Sequence, residues 1–289
     1  MLDSLPIILF NGVAYGTLLF LMAGGLSITL GLMGFANLAH GAFGMLGGYL
    51  LVTLMDRLGW PFPLAVCAAA ILTGVAGMMA EQAVFRRFYR ANELDQVLMT
   101  TAVIFMAVAG ASFVWGQSQM PVRVPAYLNG TATLLGLTVT RYRLFLVAVG
   151  GLITAGLILA IEYTSFGAKV RAAVDNRRMT MSCGINVDRL FVLAFGLGTG
   201  LAGLGGALSV RLVGLSPLFP LQYLTYLMLV VVVGGLGSIG GTLAASLAVG
   251  VIDVGSKYFF PEAGSFVVYG LTAAFLLWRP RGLFPRASA

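Results

Sequence analysis

Charge is what this sequence has least of. Of its 289 residues 9% are charged and 59% hydrophobic, whereas a soluble domain carries about 25% charged residues. So few charges cannot coat a globule of this size, and lipid is the solvent left for the apolar side chains. Histidine is nearly absent as well, with His40 alone. No His or Cys cluster offers metal-ligand spacing. The only lysines are Lys169 and Lys257, and neither sits in a Gly-x-x-x-x-Gly-Lys-Ser/Thr loop, so the chain cannot hydrolyse ATP by a P-loop. No Gly-x-Ser-x-Gly turn presents a nucleophile to His40. An intramembrane enzyme is therefore disfavoured. Cys67 lies in an apolar stretch and Cys183 in a polar one, so no disulfide framework is indicated. A basic n-region is also missing. The start, Met1-Leu2-Asp3, is acidic, and the apolar run from Ile7 to Leu30 is too long for the h-region of a signal peptide.

What is there is apolar length. Mean hydropathy is +0.97, and a spanning helix needs roughly 20 apolar residues. Nine apolar segments stand out, near 7–30, 37–55, 62–84, 95–115, 142–162, 189–210, 220–235, 239–257 and 264–278. The second and seventh each border a glycine cluster. The expected fold is all-α and integral to the membrane: a polytopic helix bundle of about eight to nine spans with broken helices.

The net charge of +7 is explained by topology rather than by nucleic acid, because the cations sit in short loops and at the tail. One face collects Arg86, Arg87, Arg90, Lys169, Arg171, Arg177, Arg178, Arg189, Arg279, Arg281 and Arg286, 11 of the 17 cations. The other holds Arg57, Arg123, Arg141, Arg143, Arg211 and Lys257. The richer face is expected in the cytoplasm, which puts the N-terminus outside and the C-terminus inside. Residues 1–289 read as one transmembrane domain, with an external cap loop about 117–140 and an inner loop about 164–188. The cap carries Pro121, Pro125 and Asn129-Gly130 before alternating Thr and Leu, which reads as a short hairpin. Small residues recur at four-residue spacing, as in Gly44/Gly48, Gly196/Gly200, Ala202/Gly206, Gly237/Gly241 and Ala244/Ala248. Such faces let helices approach closely in lipid.

Three features could carry function. The stretch Gly31 to Gly41 joins two apolar runs and holds Asn37 and His40. A broken helix at membrane depth is tolerated where it is buried in protein or lines a cavity. It reads either as a gate on a translocation path or as an interfacial turn, with Asn37 placed to cap the helix that follows. In the inner loop, Val170, Ala173, Val174 and Met181 fall on one helical face and Gly184 is a fitting stop. That amphipathic helix suits the groove of a soluble partner or the lipid headgroups. Among the acids, Glu81 is expected to pair with Arg86 or Arg87. Asp253, inside its apolar run, is either a proton relay or an inter-helix hydrogen bond.

Four stretches together carry a resemblance: Gly34 to Tyr49, with Asn37-Leu38-Ala39-His40-Gly41; Arg171-Ala172 through Gly184-Ile185-Asn186 to Asp188-Arg189; Gly234-Gly235-Leu236-Gly237-Ser238-Ile239 with Gly240-Gly241; and Arg279-Pro280-Arg281-Gly282-Leu283-Phe284. In this order the chain resembles the membrane permease of bacterial branched-chain amino acid ABC importers, the H-type subunit. The resemblance implies a multi-pass inner-membrane permease that binds no cofactor itself. ATP is used by two cytoplasmic ATP-binding subunits, a second related permease completes the path, and a periplasmic binding protein delivers the solute. It implies ATPase coupling through Lys169, Arg171, Asp175, Asn176, Arg177, Arg178, Met181, Gly184, Ile185 and Asn186. It further implies a path or gate at Asn37, His40, Gly41, Gly235, Gly237 and Ser238. Departures from the family pattern are Ala42 where relatives often have Glu, Thr180, Ser182 and Cys183 in place of apolar residues, and Arg86-Arg87 for the common Arg-Pro. The competing reading is a stand-alone secondary transporter or channel, which accounts for the spans and Asp253 but less well for the amphipathic inner loop.

Overall fold

The computed structural model describes residues 4–35, 37–89, 91–120, 124–134, 137–280 and 282–284. Ala36, Arg90, Pro121, Arg123, Arg281 and Arg286, used above, lie outside the described residues, as do Met1, Leu2 and Asp3.

Every apolar segment falls on a helix. These are α1 (Leu5–Met33), α2 (His40–Asp56), α3 (Phe62–Ala83), α4 (Glu93–Trp115), α5 (Arg141–Glu162), α8 (Val187–Val213), α9 (Phe219–Gly234), α10 (Ile239–Phe259) and α11 (Gly264–Trp278). The inner loop adds α6 (Ser165–Asp175) and α7 (Arg177–Ser182). The cap adds an antiparallel pair, β1 (Thr131–Leu134) and β2 (Leu137–Thr140), with Thr131 opposite Thr140. Asn129-Gly130 precedes β1 rather than turning the hairpin, and the Gly130 carbonyl accepts the Arg141 N–H that opens α5. Among the described residues six helices are long and apolar enough to cross a membrane: α1, α3, α4, α5, α8 and α10. Helices α2, α9 and α11 are shorter, at 17, 16 and 15 residues.

Helix boundaries follow local chemistry. Proline stands in the first turn of α1, α3 and α9, where its missing N–H leaves nothing unsatisfied. Helix α1 ends at Gly34, which takes φ 59 and donates its N–H to the Leu30 carbonyl, a left-handed stop that glycine adopts without a Cβ penalty. Hydroxyls within the bundle return to their own helices: Thr73 to the Ala69 carbonyl, Thr154 to Gly150 and Thr199 to Phe195. That answers the requirement that polar groups be satisfied internally where no water reaches.

Helix α8 is the hub, packed on α1, α2 and α3, while α10 lies along α1. Glycine makes these approaches possible. A Cβ on Gly206 would meet the backbone of Gly44 on α2, and one on Gly47 would meet the backbone of Gly203. The outer surface is apolar in the other sense: Phe113 is 92% exposed, Leu277 87% and Leu152 74%. So many large apolar side chains facing outward are costly in water and ordinary in lipid.

Candidate translocation path and coupling face

One end of the bundle gathers the end of α1, the turn after α3, the end of α5, α6, α7, the start of α8 and the start of α10. The ion pairs and cavities described below join these elements to one another.

The inner loop is two helices, not the single amphipathic helix its pattern suggests. Asn176 breaks it with φ −150 and ψ 93, and its side-chain oxygen accepts the Met179 N–H at 2.9 Å to cap α7. Val170 and Ala173 of α6 are buried against Val187, Leu190 and Phe191 of α8. Met181 does not share that face. It is 54% exposed and Met179 67% exposed, because the break turns α7 away from the bundle. Arg171 faces inward. It donates to the Ile161 carbonyl and, at 3.4 Å, to that of Glu162, so a cation holds the last carbonyls of α5, where a helix dipole favours it. Arg177 pairs with Asp188 at 2.8 Å and lies over the Phe191 ring. Lys169, Asp175, Asn176, Arg178, Gly184 and Asn186 are exposed and Ile185 is half-buried. Gly184 takes φ 80 beyond the end of α7, and Asn186 caps α8 by accepting the Arg189 N–H at 3.0 Å.

The second part of the site lies between Gly34 and the start of α2. Asn37 and His40 are both buried, at 0% and 1% exposure. The expected cap at Asn37 is not formed. Helix α2 begins after Ala39 without a side-chain cap, and the Asn37 backbone carbonyl takes the His40 N–H instead, at 3.2 Å. Both side-chain amide atoms of Asn37 lack a protein partner, as does His40 Nδ1. His40 Nε2 lies 3.1 Å from the Met22 carbonyl. Met22 is 11 residues from the end of α1, or about 16 Å at 1.5 Å per residue. Helix α2 therefore starts well inside the bundle, with buried polar groups at its mouth. Gly41 lies against Pro220 at the start of α9, so two helix beginnings meet there.

The third part joins the two remaining motif stretches. Gly235 takes φ 97 and ends α9; the Leu283 and Phe284 N–H groups donate to the Val233 and Gly234 carbonyls at 2.8 and 3.3 Å. The tail thus folds back onto α9. Ser238 caps α10, accepting the Gly241 N–H at 3.1 Å. A cavity of about 480 Å³ opens beside it, with Ser27 and Gly31 of α1, Glu162 of α5, Arg171 of α6 and Phe284 on its walls.

Gly237, Ser238 and Arg171 are thus brought to one cavity, whereas Asn37, His40 and Gly41 form a separate buried group. Sequence reasoning missed Ser27, whose hydroxyl accepts from Thr242 at 2.9 Å. Its four-residue spacing from Gly31 was the available signal. It also missed Tyr89, which donates to Glu81 at 2.9 Å and has its phenol held protonated by burial first and by that carboxylate second. Glu81 meets Arg86 at 4.0 Å, as expected. Asp253 is held by the Tyr226 hydroxyl and by Lys257, each at 2.8 Å, which is the inter-helix hydrogen bond of the two alternatives. Among the described residues no group of His, Cys, Asp and Glu could hold a metal.

Comparison with known proteins fits this architecture. Residues 8–276 match the family described as branched-chain amino acid transport system, permease component. The high-affinity branched-chain amino acid permease protein BraD of Pseudomonas aeruginosa is 27% identical over 96% of this chain and 95% of its own length. LivH of Escherichia coli is 26% identical over 96% and 94%. A probable LivH of Methanocaldococcus jannaschii is 24% identical over 93% and 87%. Among solved structures, PsaBC from Streptococcus pneumoniae in complex with Fab superposes with a TM-score of 0.53 at 14% identity, over 96% of this chain and 93% of that one. At that identity the likeness speaks for the fold alone.

Proposed function

This chain belongs to the family of branched-chain amino acid transport permeases, and on that premise we propose that it is the membrane-spanning subunit of an ATP-driven importer for a branched-chain amino acid or a similar small solute. It is a transport subunit of the inner membrane, not an enzyme. ATP is bound and hydrolysed on two cytoplasmic subunits. A second related permease completes the path, and a periplasmic binding protein delivers the solute to the 117–140 cap. Residues 1–289 act as one permease domain. All nine apolar helices are embedded, with the N-terminus outside and the C-terminus in the cytoplasm. In support, Phe284 of the tail lines the same cavity as Arg171 of α6, so the tail residues 282–284 lie at the end that carries the inner loop.

The observation that carries the reading is the form of α6 and α7. Helix α6 is fastened to the bundle by Val170, Ala173 and Arg171, while α7 presents Met179, Met181 and Arg178 outward. A fastened lever with an exposed apolar tip suits the groove of a soluble ATPase. ATP binds one state of the assembly better than the other, and only that difference biases the rocking of the bundle. Asn37, His40 and Gly41 form the gate, and the Gly235, Gly237 and Ser238 turn borders the inner mouth. The stand-alone transporter reading loses its main support, because both Asp253 oxygens are occupied.

The test is reconstitution in liposomes with the ATPases, the second permease and the binding protein, comparing uptake of leucine, isoleucine and valine with aromatic amino acids and urea. Uptake that needs ATP and prefers the branched aliphatic solutes is expected. Uptake by this chain alone under an ion gradient would overturn the assignment.

A further inference from the structure

Three of the four ion pairs among the described residues stand at the α6–α7 end, and they form one chain. Arg177, the first residue of α7, meets Asp188 Oδ1 at 2.8 Å. Asp188 Oδ2 lies 3.3 Å from Arg86 Nη2, and Arg86 Nε stands 4.0 Å from Glu81 Oε1. The Tyr89 hydroxyl donates to that same Glu81 oxygen at 2.9 Å. The Tyr89 ring then meets Phe35 edge-on, with centroids 5.4 Å apart. Phe35 follows Gly34, where α1 stops and the stretch carrying Asn37 and His40 begins. Contacts therefore run without a gap from the exposed lever to the broken helix.

We infer that Arg86 and Asp188 are positioning residues that tie the stroke of α7 to the gate, through a guanidinium shared between a buried and an exposed carboxylate. This rests on the proposed role of α7 as the ATPase-facing element. Glu81 is wholly buried, and its Oε2 has no hydrogen-bond partner, so its charge leans on Arg86 and Tyr89. A buried carboxylate deprived of its partner is strongly unfavourable. The Arg86–Asp188 pair is half-exposed, at 41% and 51%, and such pairs are weak in water. Neither Arg86 contact reaches the 2.7–2.9 Å typical of a charge-assisted hydrogen bond, so a small displacement decides which acid holds it. When α7 carries Arg177 off Asp188, that aspartate competes with Glu81 for Arg86. Any shift of Arg86 toward it strips the buried carboxylate, and that cost is what loads Tyr89 and, through its ring, Phe35. The two placements of Arg86 are the discrete states such coupling requires, and both ends bias the choice between them.

The test uses the assembled transporter in proteoliposomes with its binding protein and radiolabelled leucine, reading solute moved per ATP hydrolysed. Asp188→Asn and Arg86→Gln each lower that ratio roughly ten-fold, toward the lower end of the usual range for coupling between sites. Arg86→Lys keeps the charge but loses the fork that reaches two acids, and lowers it less. The double variant Arg86→Gln with Asp188→Asn is no worse than the worse single one, since both break one linkage. A simple brace would lower transport and ATP hydrolysis in proportion, and independent contributions would add; either result, or a wild-type ratio in every variant, overturns the inference. If Asp188→Asn or Arg86→Gln fails to assemble, Arg86→Lys and Asp188→Glu carry the same comparison. Amide hydrogen exchange in the assembled complex separates this idea from the substrate assignment. Residues 34–40 should change protection between ATP and ADP in the wild type and not in Asp188→Asn, whether or not leucine is the solute. An ATP-dependent change that persists in Asp188→Asn refutes the linkage while leaving the transport function standing. Absence of leucine uptake with the exchange change intact refutes the substrate instead.

Discussion

A single missing methyl decides how close two helices come in this bundle. Gly206 of α8 rests on the backbone of Gly44, and backbone cannot rotate out of the way as a side chain can. Gly151 of α5 has open space where its Cβ would stand. Gly206→Ala should therefore destabilise the protein by about 1–3 kcal/mol, the usual cost of overpacking. Gly151→Ala should be neutral or stabilising by up to about 1 kcal/mol, since alanine is the better helix former. Thermal unfolding in detergent reads both, and equal midpoints for the two variants would dispose of the close-approach argument. At this scale the sequence was legible only in part. Four-residue spacing marked Ala202 and Gly206 as a packing face, but spacing cannot say which helix arrives. Arg171 is the opposite case. It falls among the charged positions of an amphipathic pattern and reads as solvent-facing, yet it turns inward to donate to the Ile161 and Glu162 carbonyls that close α5.

The elements were easier to read than their ends. Long apolar runs could become little else in lipid, where only helices and closed barrels satisfy the backbone. The inner loop was harder. Its apolar spacing continues through Asn176, so periodicity gave one helix, while the side chain of Asn176 caps a second one and wins. The division shows in the packing: α6 is fastened to α8, and α7 carries exposed methionines. Met179→Ser together with Met181→Ser leaves every contact of α6 in place, because neither methionine belongs to the buried cluster around Val170. The double variant should insert and fold normally while its affinity for the ATPase subunits falls at least ten-fold, about 1.4 kcal/mol. Burying two methionines is worth more than that, at about 1.5–3 kcal/mol each. Binding of purified ATPase to the reconstituted permease measures it. Unchanged affinity would move the docking surface off α7.

For the molecule as a whole, direction in the membrane rests on the balance of arginines and lysines, and four of the arginines, Arg90, Arg123, Arg281 and Arg286, lie outside the described residues. Packing offers an independent handle. The residue after α7 is Cys183, which is exposed, and the other cysteine, Cys67, lies on the outward side of α3 among apolar residues. If the α6–α7 end faces the cytoplasm, a membrane-impermeant maleimide should leave Cys183 unmodified in intact cells and modify it in inside-out vesicles. In a Cys67→Ala background the signal belongs to Cys183 alone. Cys67 itself should resist the reagent from both sides, because a membrane-impermeant maleimide does not enter the hydrocarbon that surrounds it. Binding of the ATPase subunits should then protect Cys183, which stands two residues beyond Met181. Modification in intact cells would invert the bundle, placing the lever outside where no ATPase could reach it. Modification in vesicles without protection by the ATPases would keep the orientation and detach the lever from its motor, so one residue separates the two halves of the mechanism.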